Sequence, residues 1–192
     1  MTICLYGASS DAIAPEYIRV TETLGEMLAD VGHTMVYGAG GAGLMGAAAR
    51  GMKRRGGRII GVVPSFLQVD GILYDGCDEM IYTDTMRERK QIMEEKAQAF
   101  IVAPGGIGTY EEFFEIYTLK QLGRHQKPIV IFNPRGYYDQ MLAMLRHTVD
   151  EGFMRDKSLE LYTVAATPAQ VLEQLGATGE TVDIRQTKFV KE

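Results

Sequence analysis

Short runs of β-branched and aromatic residues alternate with amphipathic stretches along nearly the whole chain. This alternation predicts strands at residues 3–7, 34–37, 58–63, 79–82, 99–103, 128–132 and 161–165. Between them it predicts helices at residues 15–31, 44–55, 85–96, 109–122, 137–151 and 168–175. The repeated strand–helix order predicts an α/β fold of the Rossmann-like type, a doubly wound parallel sheet with helices on both faces.

The pattern continues without a linker or an internal repeat, so we expect a single domain over residues 1–176. Residues 177–192 are polar and lack periodicity, which predicts a C-terminal tail that is loosely packed or held by a partner subunit. The formal net charge of −5 gives no general basic surface and argues against nucleic acid as a partner. A small anion needs only a local set of donors and stays possible.

The two cysteines, Cys4 and Cys77, are too few for a disulfide framework, and neither lies in a Cys/His cluster with metal-ligand spacing. The N-terminus lacks the pattern of a signal peptide, and no apolar run approaches the roughly 20 residues that span a bilayer. We therefore expect a cytoplasmic protein with no membrane partner and no metal site.

A first glycine-rich loop follows the second predicted strand and matches G-x-G-x-x-G at Gly38, Gly40 and Gly43. A dinucleotide site is disfavoured, because this loop does not follow the first strand and the next strand, ending at residues 61–64, carries no acidic residue for a ribose. Close packing of strand, turn and helix explains part of the run. Five glycines within residues 38–46 are more than packing alone usually requires.

A second loop, P-G-G-I-G-T-Y-E-E at residues 104–112, leaves a buried strand and enters a helix. Its glycines expose successive N–H groups at a helix N-terminus, which predicts a phosphate site. We expect Thr109 to cap the helix and to donate its hydroxyl to the ligand. The loop is not a P-loop, because no Lys-Ser/Thr pair follows the glycines.

Glu111 and Glu112 are predicted to lie in the first turn of that helix, where one carboxylate is explained by the helix dipole. A second carboxylate would repel a bound phosphate unless it serves the reaction, and it can reach the sugar of a nucleotide. On the preceding helix, Met86, Arg89 and Lys90 share a face. The residues alone leave open whether Arg89 belongs to a site or to a solvated charged surface.

At these two motifs the chain resembles the Lonely Guy family, phosphoribohydrolases that activate cytokinin nucleotides and were formerly labelled lysine decarboxylases. The family signature P-G-G-x-G-T-x-x-E is met at residues 104–112, and M-x-x-R-K at residues 86–90. Similar segments extend the resemblance over roughly residues 3–175 and lie at residues 37–46, 61–64, 121–128, 136–139 and 151–153.

The resemblance implies hydrolysis of the N-glycosidic bond of a purine or cytokinin nucleoside 5'-monophosphate, with Arg89 and Glu112 as the catalytic pair and no cofactor. It places Met86 in the base pocket and counts Lys90 and Glu111 among the substrate-binding residues. The 5'-phosphate would be held by Gly105, Gly106, Gly108 and Thr109, with help from Ser9, Ser10, Gly41 and Gly43. It also implies a homodimer or a larger homo-oligomer, with sites at or near the interface.

Two other functions are considered. A non-catalytic carrier of a nucleotide or cofactor on the same fold would keep the phosphate loop, but it would not need both Arg89 and Glu112. A lysine decarboxylase is disfavoured, because nothing identifies a Schiff-base lysine for pyridoxal phosphate. Departures from the family pattern at Arg87 and Leu119 leave open whether AMP or a cytokinin nucleotide is preferred.

Overall fold

The structure is a computed structural model that describes residues 1–69 and 71–176. The predicted tail at residues 177–192 lies outside the described residues. Seven strands form one sheet in the order β4-β3-β2-β1-β5-β6-β7, and every neighbouring pair is parallel. The strands are β1 (Thr2–Tyr6), β2 (Thr34–Tyr37), β3 (Arg58–Pro64), β4 (Glu79–Thr83), β5 (Ala99–Val102), β6 (Ile129–Phe132) and β7 (Thr163–Ala165). The predicted Rossmann-like α/β fold is confirmed.

An α-helix follows each described strand except β3, which is followed by a 3-10 turn at Ser65–Leu67, and the helix ends lie within two residues of the predicted ones. They are α1 (Pro15–Asp30), α2 (Gly43–Arg54), α3 (Met86–Lys96), α4 (Ile107–Gln121), α5 (Asp139–Asp150) and α6 (Pro168–Gly176). The last predicted strand begins later than expected, because Asp156–Leu161 forms a 3-10 turn and β7 starts at Thr163. Among the helices of the described residues, none is long and apolar enough to cross a membrane.

The helices cover both faces of the sheet, because successive side chains of a strand point to opposite faces. Ile3 and Leu5 of β1 pack into one core with residues of α1, α2 and α6. Cys4 and Tyr6 of the same strand pack into the other core with residues of α3, α4 and α5. The strands are therefore apolar on both faces, as a buried parallel sheet requires.

Helices α1 and α2 approach each other backbone to backbone at two glycines. A Cβ added at Gly25 would lie 2.3 Å from the carbonyl oxygen of Ala48, and one added at Gly51 would lie 2.1 Å from that of Glu22. Both distances are far below van der Waals contact. This helix pair has no room for a side chain at either position.

The chain reaches the edge of the sheet at β4 and then returns to place β5 beside β1. In open α/β sheets, ligands bind at the carboxyl ends of the strands where the strand order reverses in this way. The loops after β1 and β5 meet there, since the Ala8 N–H donates to the Pro104 carbonyl at 2.9 Å. The first glycine loop, which follows β2, joins them, because the Ala8 carbonyl also accepts the Leu44 N–H at 2.9 Å, so the fold brings the two predicted glycine loops to one edge of the sheet.

Candidate active site

The first glycine loop leads from β2 into α2, and its N–H groups donate to acceptors within the protein. The Gly41 N–H donates to the Ile72 carbonyl at 2.9 Å. The Gly43 N–H, the first of α2, donates to the Asp11 carboxylate at 2.8 Å. The Ala8 carbonyl accepts the next two N–H groups of the helix at 2.9 and 3.2 Å. Protein acceptors therefore occupy the N-terminus of α2, and the structure directs the Gly41 and Gly43 amides to them.

Two glycines of this loop lie too close to neighbouring groups for a side chain to fit unless those groups move. Gly38 lies against the guanidinium of Arg89, and a Cβ added there would be 2.0 Å from Nη2. Gly43 has a φ of +59° and would place a Cβ 2.3 Å from the Ala8 carbonyl oxygen. Gly38 thus makes the space in which the Arg89 side chain lies.

The second glycine loop begins its helix earlier than predicted. Gly106, with extended backbone angles, is the N-cap of α4, and Ile107 is the first helical residue. The prediction that Thr109 caps the helix is wrong: Thr109 is inside the first turn, and its N–H donates to the Gly106 carbonyl at 3.0 Å. Glu112 consequently lies in the second turn, and the first turn holds no acidic residue.

The N-terminus of α4 is open. Among residues 1–69 and 71–176, no protein acceptor is bonded to the N–H groups of Gly106, Ile107 or Gly108. A Cβ added at Gly106 or Gly108 would meet no atom within 4 Å. Donors with no protein partner at the positive end of a helix dipole form an arrangement that suits an anion.

A buried ion pair lies beside these donors. Nη1 of Arg89 is 2.9 Å from Oε1 of Glu112, and the two side chains are only 9% and 12% exposed. Nε of Arg89 donates to the Val62 carbonyl at 3.2 Å. Arg89 therefore belongs to this site and not to the solvated surface, which answers the question that its residue type and spacing left open.

The position of Arg89 depends on a well-defined start of α3. The Thr85 hydroxyl accepts the Glu88 N–H at 3.1 Å, and the Glu88 carboxylate accepts the Thr85 N–H at 3.2 Å. This reciprocal capping box satisfies two N–H groups of the first turn. It fixes the start of α3 at Met86, three residues before Arg89, so the side chain enters the site from a rigid element.

Burial raises the pKa of Glu112, and the charge and hydrogen bond of Arg89 oppose this effect only in part. The net pKa of the carboxyl group is above its ordinary value. A carboxylate with a raised pKa is a better general base than an exposed one, because its pKa lies closer to neutral pH.

Lys90 and Glu111 are brought together, but outside the cavities described below. The Lys90 ammonium contacts the carboxylate of Glu111 and that of Glu115, the latter at 2.8 Å. Burial lowers the pKa of Lys90, but hydrogen bonds to both glutamates outweigh it and leave the pKa raised. These ion pairs join α3 to α4 next to the pair of Arg89 and Glu112.

Two adjoining cavities open at this edge of the sheet. The glycine-loop cavity has a volume of about 370 Å³ and is lined by Gly7, Ala8, Ser9, Met45, Met86, Arg89, Gly106, Ile107, Gly108, Thr109 and Glu112. The apolar cavity, of about 460 Å³, shares Ser9, Met45, Met86 and Arg89 and extends to residues that include Gly38, Val63, Leu67, Ile72 and Leu73. Seven predicted site residues therefore meet in one cavity.

Two other predicted residues, Ser10 and Gly105, line a third space. This tyrosine cavity, of about 180 Å³, also contains Tyr17 and Tyr137 and lies on the other side of the second glycine loop. The Tyr137 hydroxyl donates to the Gly105 carbonyl at 2.6 Å. Sequence reasoning singled out the G-Y-Y-D motif at residues 136–139 but gave it no role, because only the fold shows which loop its tyrosines reach.

Known proteins resemble this chain over most of its length. The family model described as possible lysine decarboxylase matches residues 45–175. The chain is 40% identical over 163 residues to a cytokinin riboside 5'-monophosphate phosphoribohydrolase of Mycobacterium tuberculosis, covering 85% of this chain and 87% of that protein. It is 35% identical over 173 residues to the enzyme of the same name from Arabidopsis thaliana, covering 90% and 81%.

A solved structure of the Moco carrier protein from Chlamydomonas reinhardtii has a similar fold, with a TM-score of 0.67 and 25% identity over 91% of this chain and 96% of that one. The sequence matches are closer and extend over both glycine loops. By the extent of the family model and of these relatives, the chain belongs to the Lonely Guy family, whose model carries the description possible lysine decarboxylase.

Proposed function

We propose that this protein hydrolyses the N-glycosidic bond of a purine or cytokinin nucleoside 5'-monophosphate, releasing the free base and ribose 5-phosphate. The observation that carries the proposal is the buried pair of Arg89 and Glu112 beside the open N-terminus of α4. The phosphoribohydrolases named above align with most of this chain, and their names support the same reaction.

The 5'-phosphate binds at the start of α4 in this proposal. The N–H groups of Gly106 and Gly108 donate to its oxygens, and Thr109 and Ser9 line the same cavity. The helix dipole adds an attraction for the anion. Glu111 is held by Lys90 away from this cavity, so its charge is partly neutralised and does not oppose binding.

The sugar then lies with its anomeric carbon near Glu112. As the bond from C1' to the base nitrogen breaks, the base leaves with the electron pair and takes up a proton, while C1' becomes oxocarbenium-like. The Glu112 carboxylate stabilises this positive charge and accepts a proton from the water that bonds to C1'. Arg89 keeps Glu112 ionised and oriented through their contact of 2.9 Å.

The base occupies the apolar cavity. Met86 lies on the wall shared with the glycine-loop cavity, and Leu67, Ile72 and Leu73 line the far side. An apolar wall of this kind suits a flat aromatic base with few polar contacts. We propose that this wall sets the preference between an adenine and a cytokinin base.

The carrier function, suggested by the solved carrier of similar fold, is the second candidate. A carrier must bind its ligand without changing it, and a desolvated carboxylate with a raised pKa facing the ligand is an arrangement for chemistry. A decarboxylase is disfavoured further, because no lysine is among the described residues that line the glycine-loop and apolar cavities.

A homodimeric or larger assembly belongs to the same proposal. It rests on the family resemblance, and the side chain of Phe153, which is 83% exposed, is an apolar surface that such an assembly could cover. We also propose a cytoplasmic location, which fits the free thiols of Cys4 and Cys77. The net charge of −5 argues against a nucleic-acid partner.

The test is chromatography of the purified protein incubated with AMP, other nucleoside monophosphates and isopentenyladenosine monophosphate. We expect release of free base from at least one monophosphate and none from the matching nucleoside, because the phosphate loop has no ligand there. Binding of monophosphates without release of base would contradict the proposal and favour the carrier.

A further inference from the structure

A tight turn after β6 fixes the orientation of two consecutive tyrosines. Arg135 and Gly136 adopt φ angles of +59° and +70°. Oδ1 of Asn133 accepts the Tyr138 N–H at 2.6 Å, and its Nδ2 donates to the Asp139 carboxylate at 2.8 Å. A turn held by these bonds leaves the tyrosine side chains little freedom to move.

Both tyrosine hydroxyls reach the loop that follows β5. The Tyr138 hydroxyl donates to the Ala103 carbonyl at 2.7 Å, and the Tyr137 hydroxyl donates to the Gly105 carbonyl at 2.6 Å. The two rings pack edge to face with centroids 4.9 Å apart, and Tyr17 packs edge to face against Tyr137. The phosphate loop is therefore held from behind by two hydrogen bonds.

The bond to Gly105 has a geometric consequence for Gly106. The Gly105 carbonyl and the Gly106 N–H belong to one planar trans peptide, so they point in opposite directions. Gly106 lines both the tyrosine cavity and the glycine-loop cavity. The Gly105 carbonyl is bonded to Tyr137 on the side of the tyrosine cavity. The Gly106 N–H is therefore directed toward the glycine-loop cavity.

We propose that Tyr137 is a positioning residue for phosphate recognition: its hydroxyl fixes the Gly105–Gly106 peptide so that the Gly106 N–H donates to the ligand. The inference rests on the proposed function for the identity of that ligand. Without the bond, this glycine peptide is free to rotate and to turn a carbonyl oxygen toward the phosphate, which repels it. Burial raises the pKa of Tyr137, so the hydroxyl keeps its proton at neutral pH.

The neighbouring tyrosine provides a matched control. Tyr138 also donates to a carbonyl of this loop, but the peptide of Ala103 continues into the nitrogen of Pro104, which carries no hydrogen. Tyr138→Phe thus removes an equivalent hydrogen bond without changing the direction of any donor. A comparison of the two variants therefore distinguishes the effect of a misoriented N–H group from the effect of a less stable loop.

The experiment is calorimetric titration of ribose 5-phosphate into the wild-type protein, Tyr137→Phe and Tyr138→Phe, with Tm measured for each. For Tyr137→Phe we expect binding weakened about 3–10-fold, the range of one hydrogen bond. In turnover of a nucleoside monophosphate, the same variant should raise KM and leave kcat within about twofold, because Tyr137 does not contact the reacting atoms. For Tyr138→Phe we expect a lower Tm and unchanged affinity.

An unchanged affinity in Tyr137→Phe, or an equal loss in both variants, would overturn the inference. If Tyr138→Phe does not fold, Tyr17→Phe replaces it, since Tyr17 touches the same ring without bonding the loop carbonyls. Binding that depends on Tyr137 in a protein that hydrolyses no nucleotide refutes the proposed function alone. A wild-type protein that hydrolyses nucleotides but fails to bind ribose 5-phosphate refutes this inference alone.

Discussion

The two glycine loops leave neighbouring regions of one sheet edge and each enters a helix, yet they differ in the use of their N–H groups. At α2 the first N–H groups donate to Asp11 and to the Ala8 carbonyl. At α4 the N–H groups of Gly106 and Gly108 have no protein acceptor among the described residues. An anion site is therefore identified by which backbone donors lack a partner, and not by the number of glycines.

The first loop still contributes to the site, but through a side chain. Its Gly38 leaves room for Arg89, and Arg89 holds Glu112 of the helix that the second loop starts. In the proposed function, one loop thus supports the group that acts on the sugar, while the other binds the phosphate. Substitutions in the two loops should consequently have different kinetic signatures.

Glu112→Gln should have the largest effect, because Glu112 carries the one carboxylate among the described residues that line the glycine-loop and apolar cavities. We expect turnover to fall about 10²–10⁴-fold, with ribose 5-phosphate binding largely retained. The measurement is steady-state release of base, together with calorimetry. Glu115→Gln, one turn further along α4, is the control and should stay within about twofold of wild type, since it loses only a partly exposed ion pair. Full activity in Glu112→Gln would remove Glu112 from the mechanism.

Gly38→Ala should act on the reaction through Arg89. A methyl group at Gly38 displaces the guanidinium, so we expect turnover to fall at least about tenfold, as for Arg89→Ala. Kinetics of both single variants and of the double variant form a thermodynamic cycle. Gly38→Ala should have no further effect on turnover when Arg89 is already alanine. Additive losses would show that Gly38 acts independently of Arg89.

Gly43→Ala and Gly108→Ala should separate folding from binding. Strain at the positive φ of Gly43 costs about 1–2 kcal/mol, and the clash of the new Cβ with the Ala8 carbonyl oxygen adds to it, so Tm should fall by at least about 2–8 °C. Gly108 has helical geometry and open space around it, so its alanine variant should keep its Tm and weaken ribose 5-phosphate binding. Thermal unfolding and calorimetry on both variants check this. A loss of Tm without loss of affinity in Gly108→Ala would contradict an open phosphate site.

The smallest effect is expected in the pH dependence of kcat/KM. Burial raises the pKa of Glu112, so its base form and the activity are lost as the pH falls through a value above that of an ordinary glutamate. Arg89 lowers this pKa, so Arg89→Ala should move the acid limb to higher pH, and Gly38→Ala should move it less in the same direction. The pH profiles of kcat/KM for the wild-type protein and for both variants test this order. A limb that stays in place would mean that another group titrates.

Most of the fold was predictable from the hydrophobic pattern, because buried parallel strands and amphipathic helices have distinct periods. The start of α4 was not, since a run containing Gly105, Gly106 and Gly108 has no local signal for where extended backbone becomes helical. The early start moved Thr109 from the cap into the first turn. Local pattern therefore located this helix but not its open donors.

The pair of Arg89 and Glu112, to which we assign the proposed chemistry, was predictable only as two positions in motifs. Arg89 contacts Val62 and Gly38, and both residues lie far from it in the sequence. Lys90 belongs to the same motif as Arg89, but it pairs with Glu111 and Glu115 of the neighbouring helix α4. Such contacts depend on strand order and helix packing, which the residue pattern does not encode locally.

The backbone contact between α1 and α2 has a consequence for how this enzyme can be remodelled. Gly25 and Gly51 have no room for even a methyl group, so the contact between these helices behind the first loop is closed to variation at both positions. The far wall of the apolar cavity is different, because Leu67 and Ile72 are 38% and 47% exposed and have room for other side chains. Directed evolution toward a new base is therefore best concentrated on that wall, where libraries can be large without many library members failing to fold.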